Sequence, residues 1–325
     1  MQIVVLDEFG MSPENVGRLE GRGDVRLFSD APTDADEIVA RIGDAEVVVC
    51  GWAQLSEQIL SRLPGLRLIS IASTGIDIVD VSAASKQGVA VCHVPSYATN
   101  AVAELALALM LAVMRKIPAA DRDVRATGRM DWQAFQGREL SGRGLGVVGT
   151  GAIGRRVAHL GHCFGMSLLG CDLQPAEELV RELGMRYVPL REVFAESDIV
   201  TLHVPFVDGA EHLVDADLLR VMRPQAIIIN TARAQLIRQE DLYDALREGA
   251  IAGAGLDVVD LECESGQKLL TLDNVVCTPH IGFNTPEAAG KLTAIATDNV
   301  VRFLDGVPVN IVNPQVLPEG PGRAG

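Results

Sequence analysis

The run LGVVGTGAIGRRVA, from Leu145 to Ala158, constrains the fold more than any other stretch, because three glycines at Gly149, Gly151 and Gly154 follow directly on an apolar segment. This is the spacing of a strand that turns tightly into a helix. Gly149 serves the turn, Gly151 lets a pyrophosphate approach the backbone, and Gly154 lets the helix pack closely on its strand. Ala152 and Ile153 would open that helix, whose free N–H groups and dipole favour a phosphate. A glycine-rich turn alone joins many strands to helices, but the next apolar run sharpens the reading. Leu168 to Cys171 reads as a short strand ending in Asp172, 18 residues beyond Gly154. A carboxylate there can accept hydrogen bonds from both adenosine ribose hydroxyls and would repel a 2′-phosphate, so the expected cofactor is NAD rather than NADP.

Short apolar runs alternate with polar, helix-like segments on both sides of this motif. Before it, Gln2–Leu6, Val25–Phe28, Val47–Cys50 and Leu66–Ile71 read as strands, with helices clearest over Asp34–Ile42 and Ser56–Leu63. After it come Leu145–Val148, Ser167–Cys171, Ile199–His203, Ala226–Asn230, Ile251–Leu256 and Val275–Thr278. Such alternation predicts parallel strands joined by crossover helices, hence an α/β chain with two doubly wound parallel-sheet domains. Cys92–Asn100 reads as a crossing segment, Asn100–Arg115 as a long helix, and Asp121–Arg143 as a polar connection. The last helix, Pro286–Leu304, is expected to return to the first domain, and the tail Pro318–Gly325 to be mobile.

Composition removes several classes of function. A formal net charge of -15 opposes nucleic acid or an anionic membrane as partner, since either needs a basic face. No run approaches the roughly 18 apolar residues of a membrane span, and the N-terminus lacks the basic segment of a signal peptide. The six cysteines (Cys50, Cys92, Cys163, Cys171, Cys263, Cys277) form no CxxC pair. They are expected to be buried, reduced thiols of a cytoplasmic protein with no metal site.

Chemistry is sought after the strand ends, where open α/β sheets bind ligands. Three polar residues stand there in the second half. Arg233 in INTARAQL can hold a carboxylate bidentately. His280 in CTPHIGFNT lies between Pro279 and Gly282, an odd setting for a core histidine, and titrates near working pH. Glu262 lies in an acidic loop that could be merely solvated. As a partner it would fix the His280 tautomer and raise its pKa. Together they suit hydride transfer, in which a hydroxyl proton must leave as the hydride does. In the first half, the Ser73, Thr74, Gly75 and Ile76 turn offers backbone amides as a second anion cradle, with closure of a cleft around the substrate.

With these elements in order, the chain resembles the D-isomer-specific 2-hydroxyacid dehydrogenases. The motifs are STGID (Ser73–Asp77), NAVAELALALML (Asn100–Leu111), GVVGTGAIGRRVA, LHVP (Leu202–Pro205), INTAR (Ile229–Arg233), GAGLDV (Gly253–Val258) and TPHIG (Thr278–Gly282). The resemblance implies a Rossmann NAD-binding domain over residues 99–285 and a discontinuous flavodoxin-like substrate domain over 1–98 and 286–325. It makes His280 the acid/base, Glu262 its partner and Arg233 the anchor of a small anionic 2-oxo or 2-hydroxy acid. It adds His203, Thr231 and Asp257 to the cofactor contacts, with Asp257 on the nicotinamide carboxamide, and it implies a homodimer joined through the cofactor domain. Two positions depart from the family pattern. Ala234 replaces a glycine, adding a methyl near the substrate loop. Cys263 replaces a proline, which is expected to loosen the loop carrying Glu262. No basic residue stands at Cys50 or Gly51, where phosphoglycerate-oxidising relatives tend to place one, and Trp52 there reads first as a core residue and second as a wall of the pocket. Two alternatives stay open: a nucleotide-sensing corepressor or other partner-binding protein of the same fold, and a dehydrogenase of another small anion such as formate.

Overall fold

The computed structural model describes residues 1–207 and 209–317; the expected mobile tail lies outside them. The chain divides into two compact units, Met1–Ala98 with Thr285–Gly325, and Thr99–Asn284. Among the described residues unit 1 holds a parallel sheet of five strands: β1 (Gln2–Val5), β2 (Asp24–Leu27), β3 (Val47–Cys50), β4 (Leu68–Ile71) and β5 (Ala90–Cys92), in the order β2-β1-β3-β4-β5. Unit 2 holds seven: β6 (Gly144–Val148), β7 (Ser167–Cys171), β8 (Arg186–Tyr187), β9 (Ile199–Leu202), β10 (Ile227–Asn230), β11 (Gly253–Leu256) and β12 (Val275–Cys277), in the order β12-β11-β10-β9-β6-β7-β8. Every pairing is parallel. Both orders are doubly wound, the first flavodoxin-like and the second Rossmann.

The apolar run Val47–Cys50, and Leu68–Ile71 with its one serine, are buried at every position because helices cover both faces of a parallel sheet. Successive residues feed opposite layers. Ile3, Val5, Val47, Val49 and Leu68 pack with Leu292, Ala296 and Val300 of the helix Pro286–Leu304. Val4, Leu6, Val48, Ile69 and Ile71 point to the other side, against Ile38, Ile42, Ile59 and Leu60. Polar contacts also join the terminal helix to the sheet, from Ser70 Oγ to the Ala296 carbonyl (3.1 Å), and to the helix Pro13–Glu20, from Asn15 Nδ2 to Thr293 Oγ1 (3.1 Å).

The structure revises several local expectations. Two strands, β5 and β8, fall where no strand was read. Each has at most three residues, too few to show a period, and β5 gains its last partners from far along the chain. Buried Asn313 accepts from the Val91 amide (2.8 Å) and donates to the Val89 carbonyl (2.9 Å) and Ser85 Oγ (3.0 Å). A helix, Ile117–Thr127, that buries none of its residues runs into the polar connection Asp121–Arg143. Only Cys50 and Cys92 are buried thiols, Cys163 is exposed, and the other three are half-buried, all of them free. Burial pushes the Cys92 thiol up to about 12. Trp52 is 51% exposed rather than in the core, and its indole N–H reaches the Glu8 carbonyl at 3.3 Å. No helix among the described residues is long and apolar enough to cross a membrane.

Asn313→Ala should lower unfolding stability by about 1–3 kcal/mol, the cost of stranding a buried N–H, carbonyl and hydroxyl. Urea denaturation measures it, and an unchanged midpoint would show that water replaces the amide.

Candidate active site

The two halves of the ligand edge of unit 2 are built by different local devices. After β6 the chain turns at Gly149, whose φ of 88° is the left-handed region that side chains avoid. A β-carbon at Gly154 would lie 1.9 Å from the Gly149 carbonyl oxygen, so the helix Ala152–Cys163 can start this close to its strand only with glycine there. Gly151 differs: a β-carbon there would meet nothing within 4 Å. Its face is open, as a phosphate cradle requires, and lies beside β9, where the sheet order reverses.

Asp172, at the end of β7, clasps this loop. Its Oδ2 accepts from the Thr150 amide and from Thr150 Oγ1 (3.0 Å), while Oδ1 accepts from the Gln174 amide (2.8 Å). Partial burial pushes its carboxyl up, but these donors and the Leu173 amide outweigh it and the net shift is downward, so Asp172 is anionic near neutrality. Thr150 and Tyr187 extend the network. The Tyr187 hydroxyl donates to Thr150 Oγ1 (2.8 Å) and accepts from the Ala176 amide (2.9 Å). Neither residue was singled out from sequence; a threonine between the first two glycines was the available signal. His203, after β9, has its ring Nε2 2.9 Å from Thr201 Oγ1. Burial pushes its pKa down to about 3, so it is neutral at working pH.

Along the other half of the same edge, Arg233, Asp257 and His280 follow three neighbouring strands, β10, β11 and β12. Asn230, 1% exposed at the end of an isoleucine run, shapes the first loop: its Nδ2 donates to the Arg233 carbonyl (2.8 Å) and its Oδ1 accepts from the Ala232 amide (2.9 Å). Ala234 enters a short 3-10 turn, Ala234–Leu236, without positive φ, so the extra methyl costs no backbone strain. Thr231 is buried, and its Oγ1 has no hydrogen-bond partner among the described residues.

His280 is exposed and has φ 55°, a costly conformation for a residue with a β-carbon. Asp257 enforces it. The Asp257 carbonyl accepts from the His280 amide (2.9 Å), Oδ1 from the Ile281 amide (2.9 Å) and Thr278 Oγ1, and Oδ2 from the Gly282 amide (2.8 Å). The expected contact of Glu262 with His280 is not formed. Glu262 is exposed, its amide caps onto Asp260 Oδ1 (2.9 Å), and its carboxylate bonds to no described residue. Nor does Cys263 loosen this loop. Its thiol donates to the Asp260 carbonyl (3.3 Å) and accepts from the Gly266 amide (3.3 Å) and Gln239 Nε2 (3.1 Å), capping the helix Glu264–Leu269.

In unit 1 the Ser73–Gly75 turn follows β4. Thr74 Oγ1 donates to the Val94 carbonyl (2.9 Å), and His93 Nδ1 bonds the Thr74 carbonyl (2.9 Å). Among the described residues no acceptor meets the amides of Thr74 or Gly75.

An open glycine face, an anionic carboxylate at the end of the next strand and the orphaned Thr231 hydroxyl fit a dinucleotide in unit 2. Gly151→Ala should keep stability within about 0.5 kcal/mol and raise the KM for NADH on the order of ten-fold, through loss of close backbone contact with an anion. Gly154→Ala should instead destabilise the fold by about 1–3 kcal/mol or more. Thermal melts and cofactor titrations separate the two, and equal melts would refute the assignment.

Comparison with known proteins agrees with this geometry. Residues 107–282 match the family model described as D-isomer specific 2-hydroxyacid dehydrogenase, NAD binding domain. A hydroxypyruvate reductase of Blautia hydrogenotrophica is 34% identical over 96% of this chain and 100% of its own length. A glyoxylate reductase of Korarchaeum cryptofilum is 35% identical over 93% of each. Among solved structures, an acyclic imino acid reductase in complex with NADPH and D-Arg superposes with a TM-score of 0.89 at 28% identity, covering 96% of this chain and 100% of that one. The chain is thus a member of the D-isomer specific 2-hydroxyacid dehydrogenase family, an NAD-dependent oxidoreductase that interconverts 2-oxo and 2-hydroxy acids.

Proposed function

We propose that the chain reduces a small 2-oxo acid of the glyoxylate or hydroxypyruvate type to the D-2-hydroxy acid, with His280 as the acid/base. The observation that carries this reading is the backbone of His280: an exposed imidazole held in a strained conformation by a buried carboxylate, at the ligand edge of the sheet. NAD supplies the hydride when bound. Gly149–Gly154, Asp172, His203 and Thr231 would hold it, and the anionic Asp172 disfavours the extra 2′-phosphate of the NADPH found with the imino acid reductase.

The chain's own residues supply the proton and the anchor. His280 gives a proton to the carbonyl oxygen as charge develops there, and takes it back in the reverse direction. Arg233, its loop fixed by Asn230, binds the substrate carboxylate. Glu262 becomes the partner of His280 in turnover, since catalytic hydrogen bonds often tighten only with substrate bound. Asp257 has three donors on its carboxylate, so its first task is to hold the His280 turn.

The face that the second unit leaves bare supports assembly as a homodimer. The helix Ile117–Thr127 buries nothing, and Met130 and Trp132 just beyond it are 84% and 78% exposed. Six free thiols without a disulfide suit the reducing cytoplasm.

His280→Ala should cut kcat on the order of 10²- to 10⁴-fold with little change in cofactor KM. Glu262→Gln should move the alkaline limb of the reduction profile to lower pH, because a carboxylate partner raises the histidine pKa and its loss deprotonates His280 earlier. Steady-state NADH oxidation with glyoxylate, hydroxypyruvate and pyruvate, and NAD reduction with formate, measures both. Full turnover by the alanine variant, or activity with formate alone, would overturn the assignment. Trp132→Asp should halve the mass seen by light scattering; an unchanged mass would place the interface elsewhere.

A further inference from the structure

Tyr187 belongs to β8, a two-residue strand at the edge of the seven-stranded sheet, with β7 beside it and β6 on the far side of β7. It pairs in register with Gly170 of β7. A β-carbon at Gly170 would lie 2.9 Å from Tyr187 Cε1 and 3.1 Å from Cδ1, so the ring can lie over the middle strand only because that position is glycine. The phenol thereby reaches the loop that follows β6, past the strand next to its own.

What it delivers there is a chain of hydrogen bonds with one direction. The Ala176 amide donates to the Tyr187 oxygen at 2.9 Å, the Tyr187 hydroxyl to Thr150 Oγ1 at 2.8 Å, and the Thr150 hydroxyl to Asp172 Oδ2 at 3.0 Å. An amide can only donate and an ionised carboxylate can only accept, so each hydroxyl commits its single hydrogen toward Asp172. Thr150 is 2% exposed, and its backbone is engaged as well. Its amide donates to Asp172 Oδ2 and its carbonyl accepts from Arg155 Nε at 2.9 Å. Because Thr150 stands between Gly149 and Gly151, this one residue ties the glycine turn to the carboxylate at the end of β7.

A carboxylate that a ligand has to orient binds that ligand more weakly than one already in place. A tyrosine is well suited to set it in advance, since its side chain has only two torsions to fix. Here the ring is further held against Gly170 and packs on the buried cluster that contains Leu168, Leu179 and Met185.

We propose that Tyr187 is a positioning residue for the dinucleotide, which acts through Thr150 to fix the Asp172 carboxylate in the orientation that receives the adenosine ribose. Tyr187 touches no reacting atom. The inference rests on the placement of the ribose at Asp172 given above, and it holds whichever 2-oxo acid is reduced.

NADH binding without substrate, followed by the fluorescence of the bound cofactor, and steady-state kinetics test it. Tyr187→Phe keeps the ring and removes only the hydroxyl. It should weaken NADH binding and raise the KM for NADH about three- to ten-fold, with kcat and the KM for the 2-oxo acid unchanged. Thr150→Val should do the same, whereas Thr150→Ser, which keeps a hydroxyl, should bind NADH as wild type does. In the double variant Asp172→Ala/Tyr187→Phe the loss should be no greater than in Asp172→Ala alone, because without the carboxylate the tyrosine has nothing left to position. Wild-type NADH affinity in Tyr187→Phe, even with a lower melting temperature, would assign the hydroxyl to stability alone and overturn the proposal. Full additivity in the double variant overturns it too. Should Asp172→Ala itself bind NADH like wild type, the placement of the ribose fails and the proposal with it; loss in Asp172→Ala without loss in Tyr187→Phe refutes the role of Tyr187 alone.

Discussion

Where a parallel strand ends, its neighbour's backbone no longer supplies acceptors, and the amides of the following loop must be satisfied by something else. In this chain an aspartate repeatedly does so. Asp257, beyond β11, takes the Ile281 and Gly282 amides after β12; Asp172, beyond β7, takes the Thr150 amide after β6; Asp7, beyond β1, takes three amides after β3. Each carboxylate continues the ladder sideways for one more step. The loops that carry function are thereby fixed by the sheet itself and need little packing of their own.

The same device has different chemical results because different donors are left over. At the Asp172 loop the open face of Gly151 remains beside an anionic carboxylate, a setting for a sugar–phosphate ligand. At the Asp257 turn the backbone is driven to positive φ and the imidazole of His280 is pushed outward. Holding that conformation costs on the order of 1–3 kcal/mol, which three hydrogen bonds to a buried carboxylate can offset. At Asp7 the donors are consumed, while the neighbouring Thr74 and Gly75 amides are left available.

Much of this was legible in the sequence because it depends on local pattern. The three glycines have separate steric reasons, and Asp172 stands where strand geometry must put it. Four-residue apolar runs such as Ala226–Ile229 mark central strands. What was not legible depends on contacts distant in sequence or on the absence of burial. The strand β5 donates its Val91 amide to the Asn313 side chain, 222 positions further along, and the helix Ile117–Thr127 buries none of its residues. Trp52 is exposed because Asp7, 45 residues earlier, holds its loop at the sheet edge, which no local propensity foretells. Glu262 was found by its place in a motif, but motif position does not determine a side-chain contact, and its carboxylate stands apart from His280.

The loop between Asp257 and Glu264 shows how a departure from a family pattern can be absorbed. A proline restrains a loop covalently by fixing φ, so its loss should cost order. Cys263 has φ −91°, and its sulfur is shared among the Gly266 amide, Gln239 Nε2 and the Asp260 carbonyl. Gln239 also accepts from the Asp260 amide through Oε1 (3.1 Å), so one side chain from a neighbouring helix ties both ends of the segment before Glu264. Restraint has moved from a ring to a set of weak hydrogen bonds. Such bonds yield more easily than a pyrrolidine, yet they leave the Glu262 segment anchored at both Asp260 and Cys263.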